Sequence, residues 1–139
     1  MQLIYDRTEA DVLLGNEKGR YSHTDLNRVE SAVAELQRLA GQMDIYPGLT
    51  TKTNWGLPGS FSADSWPAES QMQRFLGNVH ALCSALEVAA GLPDTMSDLT
   101  WQGANAIELA LQTAYARVMG VLTVLRYSGE IYSGEEISL

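Results

Sequence analysis

Only one cysteine, Cys83, occurs in the 139 residues, so the chain has no internal disulfide framework and no Cys-rich zinc site. Histidine is almost as scarce. Neither His23 nor His80 has a second His or a Cys at ligand spacing, which argues against zinc altogether. Basic residues are few as well: nine Lys and Arg against seventeen Asp and Glu leave a formal net charge of −8. The nine are scattered, whereas a nucleic-acid binder must cluster cations to neutralise phosphates. Nucleic acid is therefore excluded as a partner.

Long apolar runs are missing too. The longest candidate, "VMGVLTVL", falls far short of the roughly 20 residues that a membrane span needs. The opening "MQLIYDRTEADV" lacks the basic and apolar regions of a secretory signal. The expectation is a protein that does not insert in membranes, is made in the cytoplasm, and leaves it only as part of a larger assembly.

What is present is a helical pattern. Hydrophobic residues make up 45% of the chain, enough for a real core in one domain of ordinary size, residues 1–139. Asp6 or Thr8 can cap a first helix over about 8–17, with Glu9 and Asp11 in the first turn, where the helix dipole favours acids. Ser22 and Asp25 have the spacing of a capping box. Leu26, Val29, Val33, Leu36 and Ala40 follow on one face of a helix over about 23–40, which Gly41 should stop. Pro67 near a first turn opens a third helix over about 67–90, ended by Gly91, Leu92 and Pro93. Ala104, Ile107, Leu111, Ala114, Val118, Leu122 and Leu125 mark a fourth over about 100–127. The fold class expected is mainly α: a bundle of about four helices, a long aromatic loop and short terminal β segments.

Residues 42–66 form that loop, with Pro47, Pro58 and a short β-like stretch "LTTKT". Loops of this length are uncommon in compact domains and often functional. Tyr46, Trp55, Phe61 and Trp66 either pin it to the core or face a partner. The chain closes on "YSGEIYSGEEISL", in which Tyr-Ser-Gly-Glu occurs twice. Gly129 and Gly134 permit turns, so residues 128–139 read as a docking tail, a strand beside "QLIY" or beside another chain's sheet edge. Its candidate contact residues are Tyr127, Glu130, Ile131, Tyr132, Glu135 and Ile137.

Charge is unevenly spread. Residues 6–41 carry twelve charged side chains, whereas 75–126 carry only six: Glu87, Asp94, Asp98, Glu108, Arg117 and Arg126. A helix covered on one side normally shows a charged opposite face. The last two helices lack one, which points to cover by another subunit.

Chemistry is harder to find. Cys83 falls on an apolar stripe and reads as a buried, inert thiol. There is no phosphate-binding glycine loop and no Gly-x-Ser-x-Gly elbow. The pairs Asp94 with Asp98 and Glu135 with Glu136 lack any sign of a cleft, and the tail lacks the carboxylate spacing of a calcium loop. No enzyme, no metal and no cofactor is expected.

The segments "RTEADV", "YSHTDLNRVESAV", "MQRFLGNVHAL", "LPDTMSDLTWQGANAIE" and "YSGEIYSGE" resemble, in the same order, a group of small proteins encoded among the virion structural genes of phages and prophages of Firmicutes. Phe75 and Trp101 stand where that group usually has tyrosine, and the spacer between Val12 and Tyr21 is shorter. The resemblance implies a virion component. Its first two helices would form a charged outer part and its last two a subunit-contacting core. Loop and tail would touch neighbouring virion proteins. Asp25, Arg28 and Glu30 of "DLNRVE", with Asn105 and Glu108, would fix register through surface ion pairs worth about 0–1 kcal/mol each.

The function expected is a non-enzymatic phage virion subunit, homo-oligomeric and in contact with other virion proteins. Two alternatives stay open. One is an adhesion or carbohydrate-binding module of a fibre, stacking sugars on Trp55, Phe61 and Trp66. The other is a small acidic regulator that binds a host protein.

Overall fold

A computed structural model describes the backbone of residues 1–56 and 67–134 and the side chains of these as far as residue 126. Four helices follow one another: α1 (Glu9–Leu14), α2 (His23–Gly41), α3 (Glu69–Ala85) and α4 (Trp101–Gly134). The described residues contain no strand. "QLIY" and "LTTKT", expected as β segments, form no ladder among the described residues, and the end of the expected C-terminal β segment, 135–139, lies outside them.

Helices α1, α2 and α4 start where their capping chemistry places them. In α1 the Asp11 carboxylate accepts the Thr8 N–H at 2.9 Å, and the Thr8 hydroxyl accepts the Asp11 N–H at 3.3 Å. At α2 the Asp25 carboxylate accepts the Ser22 N–H at 2.8 Å. The Thr100 hydroxyl accepts the Gly103 N–H at 3.0 Å at the head of α4.

Helix ends depart from expectation. Gly15 takes a left-handed φ of 65°, so α1 stops before residue 17. Gly41 belongs to α2. The stop comes later, where Asp44 adopts φ 59° and the Ile45 N–H reaches back to Ala40 O at 3.0 Å. In α3 the end comes early: Glu87 adopts φ 57° and the Val88 N–H closes on Cys83 O at 2.8 Å. Both are Schellman-type closures built on acidic residues in place of glycine. Helix α4, in contrast, continues past Tyr127. Residues 128–134, expected in an extended tail, have helical backbone, and 135–139 lie outside the described residues.

The core is a three-helix bundle in which α2 packs on both α3 and α4, and α3 packs on α4. Leu26, Val29, Val33 and Leu36 of α2 meet Phe75, Leu76, Val79 and Leu82 of α3 and Ile107, Leu111, Ala114 and Val118 of α4. Cys83 is buried among them, as its stripe implied, and burial pushes its thiol pKa up. The placement of the charged helices needs correction. Only α1 is peripheral, with no buried residue, whereas α2 sits at the centre.

Candidate functional site

Two polar clusters, each centred on a buried carboxylate, account for the five structural residues expected on the surface. Glu108 is wholly buried. Its Oε1 accepts from Arg28 Nε at 2.6 Å and from the Ile4 N–H at 2.9 Å. Its Oε2 accepts from Arg7 at 2.7 Å and from Arg28 at 2.8 Å. Asp25 Oδ1 accepts from the same two arginines, at 3.2 Å and 2.5 Å. Two guanidiniums and two carboxylates thus neutralise one another in the interior. Asn105 adds a clasp on the backbone of Arg7, accepting its N–H and donating to its carbonyl, both at 3.0 Å. The N-terminal segment is bound to α4 by this set.

Tyr21 completes the cluster. The Arg7 guanidinium lies 5.6 Å from the centre of its ring. Its buried hydroxyl has no hydrogen-bond partner among the described residues. Burial, together with the nearby Glu108 and Asp25 charges, pushes its pKa far above the usual phenol value. The Arg28 guanidinium is held charged even more firmly than usual, chiefly by its bond to Glu108.

The second cluster lies on the other side of α2, around Glu30. Its carboxylate accepts both Arg74 nitrogens at 2.8 Å, the Lys52 N–H at 3.1 Å and Trp55 Nε1 at 2.5 Å. Asn27 clasps the Trp55 backbone at 2.7 and 3.0 Å, and Gln37 does the same for Leu49 at 2.5 and 3.1 Å. Asn78 and Arg74 of α3 both donate to Thr50 O at 2.7 Å. The polar residues of α2 therefore replace a strand partner for residues 49–56. Gly56 closes the arrangement with φ 74°, its Cα against the His23 ring.

Trp55, a candidate for partner contact, is 1% exposed and belongs to the core. The loop is pinned there because the indole N–H finds a carboxylate and its faces find Lys52 and Arg74 at 5.0 and 6.0 Å. The surface-pair expectation is likewise corrected: Asp25, Glu30 and Glu108 are buried, and Arg28 and Asn105 are half-buried partners to them. Phe61, Trp66, Glu135 and Ile137 lie outside the described residues. Tyr127, Glu130, Ile131 and Tyr132 are on the last turns of α4, with side chains not described.

Sequence reasoning missed Arg7, Asn27, Gln37, Arg74 and Asn78. One signal was available for Arg74: a lone cation amid the apolar residues of a charge-poor helix calls for a buried carboxylate. The clasps of Asn27 and Gln37 leave no such trace.

The open surfaces are of two kinds. A groove of about 660 Å³ runs between α3 and residues 94–98, past Met72, Leu76, His80 and Met96. The His80 ring nitrogen lies 3.0 Å from Pro93 O. At the far end of the bundle, α4 runs on after α2 and α3 have stopped. Grooves flank it there, one bordered by Arg38, Leu39 and Gln42, the other by Met43, Ile45 and Leu86. Val118 is the last buried residue of α4 among those described, and Met119, Val121, Val124 and Leu125 are exposed.

Among the described residues no set of three or more His, Cys, Asp or Glu is grouped to hold a metal. No described helix is long and apolar enough to cross a membrane. The chain matches no family model, no curated protein and no solved structure.

Proposed function

We propose that the chain is a non-enzymatic structural subunit of a phage virion, which oligomerises through α4 and contacts other virion proteins. The observation that carries the reading is the apolar end of α4. Leu125 lies on the same helical face as Leu111 and Val118, yet it is 51% exposed, and Val124 beside it is 64% exposed. The spacing Ala104, Ile107, Leu111, Ala114, Val118, Val121, Leu125 alternates three and four. That spacing packs a helix seam over its whole length. The seam thus outruns the helices that cover it, and an apolar strip of this kind on a soluble chain is an assembly surface. The protein is made in the host cytoplasm and resides in the particle.

The carbohydrate-binding alternative loses one of its three platforms, because Trp55 is in the core. Light scattering on the intact chain and on a Val124→Glu/Leu125→Glu variant tests assembly. A multiple of the 15.2 kDa chain mass is expected for the first and the single mass for the second. Two monomers would end the reading.

A further inference from the structure

We infer that the groove along α3 takes a cationic amphipathic helix of another protein. Its apolar face would lie on Met72, Leu76 and Met96, and its lysines or arginines on the rim. The groove is lined by α3 and residues 67 and 94–98, so this contact is independent of assembly through the end of α4.

Shape selects a helix. From Glu69 to His80, α3 rises about 16 Å, the length of about three turns of a helix laid beside it. Met72 and Leu76 are buried at the floor, and Met96 is half-buried in the facing wall. Methionines adapt to the side chains laid on them, and such a groove reads apolar anchors three and four residues apart. The facing wall is held by α3 itself, since the His80 ring nitrogen lies 3.0 Å from Pro93 O. Gly77 lines the same groove, and a methyl group added there would meet no atom within 4 Å. Glycine weakens a helix interior, and no described contact of its own chain requires one at this position. The space it leaves lets a partner approach α3 closely.

Charge selects the kind of helix. Glu69, Asp94 and Asp98 edge the groove, all three exposed, and none has an ion pair among the described residues. No Lys or Arg lines it among the described residues, and none occurs anywhere in residues 75–116. The sequence of residues 57–66 supplies no cation either; its one charge is Asp64. Three carboxylates around an apolar floor thus lack a counter-charge, and the occupant brings it. A second copy does not offer one. The arginines of α2 and α3, Arg28, Arg38 and Arg74, already pair with carboxylates of their own chain. In α4 the cations are Arg117, paired with Glu87, and Arg126. The complement is a helix with Lys or Arg on either side of a Leu, Met or Phe face, and it belongs to a different protein.

The test is fluorescence anisotropy with a labelled Lys/Leu peptide of about 14 residues, its leucines at helical spacing, and with the same peptide carrying Glu for Lys. The intact chain should bind the Lys/Leu peptide at least tenfold more tightly than the Glu/Leu peptide. Gly77→Leu fills the groove from an exposed position and should weaken that binding at least tenfold. Glu69→Gln/Asp94→Asn/Asp98→Asn should do the same, and circular dichroism checks that both variants remain helical. No binding of the Lys/Leu peptide overturns the inference. Binding that Gly77→Leu leaves unchanged also overturns it, since the peptide is then held elsewhere on a surface of net negative charge. So does equal binding of the Glu/Leu peptide, or indifference to the loss of the three carboxylates. Light scattering on Gly77→Leu tests the second-copy occupant. A mass equal to that of the intact chain is expected, and a loss of self-association would put a second copy in the groove instead.

Discussion

Arg28 and Glu108, eighty residues apart, meet in a two-pronged pair, with Nε–Oε1 at 2.6 Å and the second nitrogen to Oε2 at 2.8 Å. Glu108 also holds Arg7 and the Ile4 backbone, so one carboxylate joins the N-terminal segment, α2 and α4. Removing its charge leaves Arg7 with the longer contact to Asp25 as its remaining ion pair among the described residues. Glu108→Gln should therefore cost about 3–5 kcal/mol, the usual range for orphaning a buried ion. Arg28→Lys should cost about 1–2 kcal/mol, because an ammonium cannot span both oxygens. Urea unfolding of the two variants reads both values, and a smaller loss for Glu108→Gln than for Arg28→Lys would contradict the assignment.

Tyr21 gives the opposite expectation. Its buried hydroxyl bonds to nothing among the described residues, so Tyr21→Phe should be neutral or should stabilise by up to about 1 kcal/mol at pH 7. The pH dependence follows from the raised pKa. The unfolded phenol ionises first, near pH 10, while the folded one stays protonated. The unfolded state then binds fewer protons, and stability falls as pH rises beyond that point. Tyr21→Phe should remove this part of the alkaline loss, seen as a gap between the two chains that widens above pH 10. Cys83, raised by burial, adds a similar decline starting nearer pH 9, which Cys83→Ala should remove.

Trp55 separates packing from hydrogen bonding. Trp55→Phe keeps an aromatic body but leaves Glu30 short of one donor, at a cost of about 1.5–3 kcal/mol for a bond to a charged acceptor. Trp55→Ala also empties the site and should cost about 3–5 kcal/mol. Were the side chain a partner-facing platform instead, neither change would move the thermal midpoint.

Gly56 is fixed by conformation and by space at once. Its φ of 74° favours glycine, and a methyl group there would meet the His23 ring. Gly56→Ala should lose about 2 kcal/mol or more. The double variant with His23→Ala should recover the steric part of that loss and leave the conformational part. Equal losses in both backgrounds would rule out the ring contact.

The helices were legible because apolar spacing and the caps Thr8 and Ser22 are local signals. Their ends were less so. The expected helix over about 67–90 overruns α3, because Val88 packs on the core after a left-handed Glu87, a conformation that sequence assigns to glycine. The clusters were hidden for a different reason. "DLNRVE" reads as a solvated charged face because Arg28 finds Glu108, and Glu30 finds Arg74, only after the chain has folded back on itself. Charge poverty in α4 was legible and fits its exposed end, but not the central position of α2.

The central claim is assembly through the end of α4. Light scattering on the intact chain and on the Val124→Glu/Leu125→Glu variant tests it most directly, since both substitutions fall on exposed positions outside the described core. The account predicts a multiple of the chain mass for the first and a folded monomer for the second. Equal multiplicity in both, or a monomer in both, would contradict it.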